Sequence, residues 1–157
     1  MVKIQFAACE RDCYMDSSND CMARLDQWLA STLESVDLAE AEVTRLAAES
    51  GFQEDEVFKI GMAVREAMVN AVVHGNRYSE RKRVHLRVAG DAERFVVRIE
   101  DEGDGFDWQS LPDPTAEENI LRQSGRGLWL IRSFVDELKI EPSQPKGTAL
   151  ELVKYRR

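Results

Sequence analysis

The spacing of apolar residues divides the chain into segments with a period of two and segments with a helical period. Apolar and polar residues alternate over residues 84–88 and again over 95–99, with Gly90-Asp91 between the two runs. Such alternation is typical of strands with one buried face, and the short polar break predicts an antiparallel pair. Residues 138–141 and 148–154 repeat the pattern around a turn, which predicts a second hairpin.

Three other segments carry apolar residues at helical spacing. The first begins at Asp37, a typical N-cap residue, and stops at Gly51. The second covers residues 54–74 and the third covers 128–136. The apolar positions are, in order, Leu38, Ala41, Val43, Leu46 and Ala47; Val57, Phe58, Met62, Val64, Met68, Val69 and Val72; and Leu128, Ile131 and Val135.

Two segments are harder to interpret. Residues 22–30 fit either a strand or the start of a helix, and their periodicity does not decide between the two. Residues 107–124 form a polar stretch with two prolines, too long for an ordinary connection and of the kind that serves as a functional lid or is disordered. The order of helices and strands predicts an α+β fold, a two-layer sandwich of helices on a sheet.

Composition and charge limit the functions that the chain can have. Its 157 residues, 43% of them hydrophobic, fit one ordinary domain. The formal net charge of −8 disfavours nucleic acid and anionic membranes, so we expect proteins or small ligands as partners. No apolar run approaches the about 20 residues that span a bilayer, and the N-terminus lacks a signal-peptide pattern. We therefore expect a cytoplasmic protein.

The three cysteines, Cys9, Cys13 and Cys21, all lie in the first 21 residues, with no histidine nearby. A structural zinc site needs a fourth soft ligand and a disulfide framework needs even pairing, so reduced thiols are the favoured interpretation. A redox or metal role is the alternative. We treat residues 1–21 as an N-terminal extension of unknown role before a domain over 22–157.

A carboxylate and a carboxamide, Glu66 and Asn70, stand at i and i+4 of the second predicted helix, which stacks them on one face. An amide oxygen suits a magnesium ion that keeps its waters and bridges phosphate oxygens. Glu66 is able to take a proton from a hydroxyl group or a water that attacks a terminal phosphate. An isolated pair of this kind would more often be the polar face of a surface helix. Its interpretation therefore depends on the glycine motifs that follow.

The first glycine motif, Asp101-Glu-Gly103-Asp-Gly105, follows the predicted strand at 95–99. Asp101 would accept a hydrogen bond from the exocyclic amino group of adenine, whereas guanine presents an acceptor there, so the residue would select ATP over GTP. Gly103 and Gly105 allow the backbone to approach a ligand closely. Alone, such a motif is often only a turn.

The second glycine motif, Gly125-Arg126-Gly127, opens the third predicted helix. The free backbone N–H groups and the dipole of a helix N-terminus favour an anion, which suits nucleotide phosphates. Arg126 adds a positive charge there, although a surface arginine in a turn is the alternative.

Together these motifs resemble the N-box and the two glycine boxes of the GHKL ATPases, a superfamily that includes gyrase, histidine kinases and anti-sigma serine kinases. Gly147-Thr148 resembles the last nucleotide-contacting element. The stretches at 31–37, 111–114 and 124–137 are similar to those of RsbW-type anti-sigma factors, and the likeness runs from about residue 22 to 154. It implies the Bergerat (histidine kinase-like ATPase) fold with a mixed, mostly antiparallel sheet. It also favours a strand at 22–30 and a lid at about 107–124.

The resemblance further implies an ATP-dependent serine protein kinase and anti-sigma factor. Such a protein binds ATP and Mg2+, phosphorylates a STAS-domain anti-anti-sigma partner, sequesters a sigma factor and forms a homodimer. Glu66 would be the catalytic base and Asn70 the magnesium ligand. The implied nucleotide contacts are Asn70, Asp101, Gly103, Gly105, Gly125, Arg126, Gly127, Leu128 and Thr148.

Three alternatives stay open. The first is a non-catalytic module in which nucleotide merely orders the lid and the target is another protein. The second is the ATPase part of a sensor histidine kinase, although those proteins typically carry Asn at the position of Glu66 and the chain has no phosphoacceptor helix pair. A metal or redox sensor built on the three cysteines is the third.

Overall fold

The computed structural model describes residues 22–105 and 126–157. The predicted N-terminal extension with its cysteines, the predicted lid and Gly125 lie outside these residues. The elements are β1 (Met22–Ala30), α1 (Leu33–Glu49), α2 (Glu54–Val69), a π-helical turn (Asn70–Gly75), β2 (Arg83–Gly90), β3 (Arg94–Glu100), α3 (Arg126–Phe134), β4 (Glu137–Pro142) and β5 (Thr148–Tyr155).

The strands form one sheet in the order β1-β2-β3-β5-β4. The helices pack against one face of this sheet, so the predicted two-layer α+β sandwich is confirmed. All four strand pairings among the described residues are antiparallel, whereas we expected a mixed sheet. The chain does run in the same direction through β3 and β4, but β5 lies between them, so this crossover creates no parallel pair.

The core lies between the sheet and the helices. The alternating residues of β2 and β3 that were predicted to face inward are buried, and β1 is a strand, as the resemblance favoured. The largest fully buried apolar side chains are Phe95, Met68, Leu86, Ile99 and Ile131. None of the helices within 22–105 and 126–157 has the length and apolar character needed to cross a membrane.

Helix α1 begins four residues before the predicted start at Asp37. Thr32 is its N-cap, and the Thr32 hydroxyl accepts a hydrogen bond from the backbone N–H of Ser35 at 3.2 Å. The buried stripe runs through Val36, Ala39, Val43, Leu46 and Ala47, whereas the predicted apolar positions Leu38 and Ala41 are exposed, Leu38 by 58%. Gly51, with φ of +92°, ends the helix as predicted.

Helix α2 begins at Glu54 as predicted, and the carboxylate of Glu56 caps it by accepting the N–H of Gln53. Its buried stripe runs through Ile60, Ala63, Val64, Ala67 and Met68, while Phe58 is 62% exposed. The last five residues of the predicted helix, together with Gly75, are π-helical, and the N–H of Asn76 accordingly bonds the carbonyl of Ala71 five residues earlier. Single π-helical turns of this kind are frequent at functional sites.

Helix α3 starts at Arg126, two residues before the predicted start at Leu128, and ends at Phe134. Ile131 is fully buried, and Leu128 and Val135 are partly buried against the core, as the helical spacing predicted.

The sheet face away from the helices carries charged side chains. Arg98 alternates with the core residues of β3, and its guanidinium group contacts the carboxylates of Glu100, Glu141 and Glu151 at 3.0, 3.2 and 3.1 Å. Glu151 is only 1% exposed and also lies 3.8 Å from the amine of Lys139. Three strands are therefore linked by buried or half-buried ion pairs.

His85 links β1 to this charged face. Its Nε2 lies 2.6 Å from Asp26 and its Nδ1 3.4 Å from Glu100, while Trp28 stacks on the ring at a centroid distance of 4.1 Å. Burial lowers the pKa of His85, but the hydrogen bonds to Glu100 and Asp26 outweigh it, so the pKa is raised. Burial raises the pKa of Glu100, but His85, Arg87 and Arg98 lower it to about 2.

We predict that His85→Gln destabilises the protein at low pH more than at high pH. A raised folded-state pKa means that the contribution of protonated His85 is fully present below its unfolded value of about 6.5 and is lost as the pH rises through the folded value. Urea unfolding at about pH 6 and about pH 9 measures the difference from wild type. His74→Gln, at the exposed end of the π-helical turn, is the matched control. An equal loss for His85→Gln at both pH values would contradict the prediction.

Candidate functional site

Glu66 and Asn70 lie one helical turn apart at the end of α2, and both side chains are half-buried. The N–H of Asn70 donates to the carbonyl of Glu66, so the step from Glu66 to Asn70 is α-helical, and the π-helical turn begins at Asn70. The two side chains therefore share one face, as the i and i+4 spacing predicted.

The first turn of α3 packs directly on this face. A Cβ atom at Gly127 would lie 3.1 Å from Oε2 of Glu66 and 3.4 Å from Oδ1 of Asn70. A larger residue would have to displace one of these polar groups. The second glycine motif and the Glu66-Asn70 pair, distant in sequence, are thus brought into contact.

Asp101 is buried at the end of β3, with 7% of its surface exposed. Its Oδ1 accepts hydrogen bonds from the N–H groups of Gly103 at 2.9 Å and Thr148 at 3.2 Å. Its own N–H donates to the carbonyl of Thr148 at 3.0 Å. Within the described part of the chain, no hydrogen bond reaches the other carboxylate oxygen, Oδ2. Oδ1 is therefore held by two backbone N–H groups, whereas Oδ2 lies against Gly75.

Burial raises the pKa of Asp101, and the two backbone N–H bonds and the nearby Lys82 oppose this shift only in part. The turn that follows is closed by an ion pair between Asp104 and Lys146, and this pair lowers the pKa of Asp104.

Three glycines surround Asp101 where no side chain would fit. A Cβ at Gly75 would lie 2.5 Å from Cγ of Asp101, one at Gly103 would overlap the carbonyl of Gly75, and one at Gly147 would overlap the carbonyl of Asp101. Gly147 and Gly105 also have positive φ values of +113° and +77°. The end of the π-helical turn, the turn after β3 and the start of β5 therefore meet backbone to backbone.

Of the remaining predicted nucleotide contacts, the structure describes the side chains of two. Thr148 is buried beside Asp101, and the side chain of Leu128 is partly buried against the core. Arg126 begins α3, but its side chain, like Gly125, lies outside the described positions.

Asn76, which no sequence motif identified, is 1% exposed and hydrogen-bonded to three other segments near Asp101. The only signal was its place directly after His74-Gly75. Nothing in its spacing distinguished a buried asparagine from one in an exposed turn.

The geometry can be compared with known proteins. A family model described as histidine kinase-like ATPase domain matches residues 29–154. The serine-protein kinase RsbW of Bacillus subtilis is 29% identical over 128 residues, 78% of this chain and 79% of that protein. An anti-sigma F factor of Bacillus licheniformis is 31% identical over 103 residues, 64% of this chain and 70% of that protein.

A solved structure of the RsbU and RsbW domains of a Mycobacterium tuberculosis protein has a TM-score of 0.61 and 20% identity. The alignment covers 85% of this chain and 32% of that one, and at this identity the likeness concerns the fold alone. The family model, by contrast, spans most of the sequence. The chain belongs to the histidine kinase-like ATPase family.

Proposed function

We propose that the protein is an ATP-dependent serine protein kinase and anti-sigma factor of a partner-switching system. The observation that carries this proposal is the half-buried Glu66 carboxylate, one turn before Asn70 and covered by Gly127. The names of the relatives, serine-protein kinase and anti-sigma factor, support the same function.

The adenine end of ATP would bind at Asp101. The backbone holds Oδ1, so Oδ2 would accept a hydrogen bond from the adenine amino group. The backbone around Gly103, Gly105 and Thr148 would line this end, and the close glycine contacts keep side chains out of it. The phosphates would lie toward the N-terminus of α3, where the backbone of residues 125–128 and the charge of Arg126 favour an anion.

Glu66 would act as the general base at the other end of the site. It would accept the proton of a serine hydroxyl as that oxygen attacks the terminal phosphorus and the bond to ADP breaks. A base in this position suits a hydroxyl acceptor, since an imidazole nucleophile needs none. Asn70 fits a magnesium ion that keeps most of its waters, since it offers one half-buried amide oxygen beside the phosphate region. Bound there, the ion would neutralise charge on the phosphate oxygens.

The partners would be proteins. With a net charge of −8, the chain suits a STAS-domain anti-anti-sigma protein as kinase substrate and a sigma factor as the sequestered target, rather than nucleic acid or membrane. We further propose a cytoplasmic homodimer whose ATPase domain covers residues 22–157, with a lid at about 107–124 and an extension at 1–21.

We predict that Glu66→Gln lowers serine phosphorylation of the STAS-domain partner by at least about 100-fold, because a glutamine cannot accept the proton. ATP binding should change by less than about threefold, since the substitution keeps shape and hydrogen-bonding reach. The measurement is transfer of labelled phosphate to the STAS-domain proteins of the source organism, with phosphoserine identified by mass spectrometry.

Glu49→Gln serves as the control, because this exposed carboxylate at the end of α1 pairs only with Arg45 among the described residues. If the wild type binds ATP yet phosphorylates no STAS-domain protein, the protein is the non-catalytic switch module instead. Full activity in Glu66→Gln would exclude Glu66 as the base.

We predict that Asp101→Asn lowers the preference for ATP over GTP by at least about tenfold. The N–H groups of Gly103 and Thr148 would keep the amide oxygen in the place of Oδ1, so the amide nitrogen would replace Oδ2 and present a donor to the base. Competition of ATP and GTP against a fluorescent ATP analogue measures the preference. Asp104→Asn, in the same turn but exposed, is the control. Wild-type protein that binds both nucleotides equally would contradict this assignment.

A further inference from the structure

Asn76 is a buried side chain that the proposed catalytic and nucleotide contacts leave unexplained. Its Oδ1 accepts the N–H of Glu102 at 2.8 Å, and its Nδ2 donates to Oγ of Ser31 at 2.9 Å and to the carbonyl of Arg83 at 3.0 Å. Both amide protons and one lone pair are therefore used, and only an amide offers this combination of donors and acceptor.

The partners of Asn76 are also bonded to one another. The hydroxyl of Ser31 donates to the carbonyl of Lys82 at 2.6 Å, and the carboxylate of Glu102 accepts the N–H of Arg83 at 2.6 Å. Asn76 thus lies at the centre of a closed set of bonds that joins the β1–α1 junction, the start of β2 and the end of β3.

This set of hydrogen bonds adjoins both parts of the candidate site. The N–H of Asn76 closes the π-helical turn that begins at Asn70, while its side chain holds Glu102, which lies between Asp101 and Gly103. The backbone contact of Gly75 with Gly103 leaves no free space between these two parts. A shift at Asn76 therefore changes the separation between the helix end with Asn70 and the turn with Asp101.

We propose that Asn76 is a positioning residue for the nucleotide site, which sets the distance and orientation between the Glu66-Asn70 face and the Asp101 turn. This inference rests on the proposed nucleotide binding. Asn76 itself does not contact nucleotide; it acts through the backbone of residues 101–103.

Asn76→Asp tests this role because it keeps the shape and removes both donors. An ionised carboxylate would face the carbonyl of Arg83, which can only accept, and the Ser31 oxygen, whose proton is already donated to the carbonyl of Lys82. Protonation would restore one donor. The charged side chains on or beside the bonded segments are Arg77, Lys82, Arg83, Asp101 and Glu102, and because wild type has all five, each affinity is compared with wild type at the same pH. We therefore expect affinity for a fluorescent ATP analogue to fall at least about tenfold at about pH 8 and to recover toward wild type as the pH is lowered to about 5.5.

Gln27→Glu is the control, because it adds the same charge at an exposed position of β1. Ser31→Ala is the second variant, since it removes one partner of Asn76 without adding charge, and we expect about threefold or greater loss of affinity with the circular dichroism spectrum unchanged. Recovery at low pH confined to Asn76→Asp would support positioning, since a variant that is merely misfolded would not regain affinity.

Two results would overturn the inference, and they are distinguishable. If wild type binds the analogue and Asn76→Asp and Ser31→Ala both bind it within about twofold at every pH, Asn76 has no positioning role. If wild type does not bind the analogue, the proposed nucleotide site itself is wrong, and the role of Asn76 falls with it.

Discussion

The backbone contact between Gly75 and the turn after β3 is the constraint on which the candidate site depends. A Cβ at Gly75 would strike the carboxylate of Asp101, and one at Gly103 would strike the carbonyl of Gly75. Atoms this close transmit any displacement, because packed interiors have few voids to absorb it. The helix that carries Glu66 and Asn70 and the strand that ends at Asp101 are therefore held at one separation.

The sheet face away from the helices buries charged side chains. Charged side chains would be costly to bury singly, yet Glu151 is 1% exposed and Arg98 8%. They are tolerated because Arg98 reaches three carboxylates, and because His85 joins Asp26 to Glu100. Removing one member of such a set leaves its partner unpaired. Single substitutions on this face therefore destabilise the protein more than substitutions on an exposed face would. It also ties the edge strand β1 to the centre of the sheet.

The spacing of apolar residues predicted which helices and strands exist better than it predicted where they begin and end. The alternation at residues 84–88 and 95–99 was sufficient to place β2 and β3, because the apolar side chains that alternate there all lie in the core. The predicted start of α1 was wrong because Asp37 is a typical N-cap residue when only the sequence is considered. In the structure Thr32 caps the helix, and Asp37 pairs with Arg65 of α2. The π-helical turn was not predicted either, because the spacing of apolar residues does not distinguish it from an α-helical turn.

The candidate site was predictable where it rests on spacing along one element, as for Glu66 and Asn70. The packing of Gly127 on that pair, the two backbone bonds to Asp101 and the role of Asn76 depend on contacts between distant segments, which no local pattern encodes. The glycine motifs predicted that the backbone approaches a ligand closely. In the structure these glycines lie beside the proposed ligand space, but they also approach carbonyl groups and a carboxylate of the protein itself.

The most direct test of the nucleotide site is a crystal structure of the wild-type protein with Mg2+ and a non-hydrolysable ATP analogue. We expect the adenine amino group within hydrogen-bonding distance of Oδ2 of Asp101, the amide oxygen of Asn70 on the magnesium ion, and the carboxylate of Glu66 facing the terminal phosphate. A nucleotide bound elsewhere, or with its phosphates at Asp101 and its base at Glu66, would contradict the assignment.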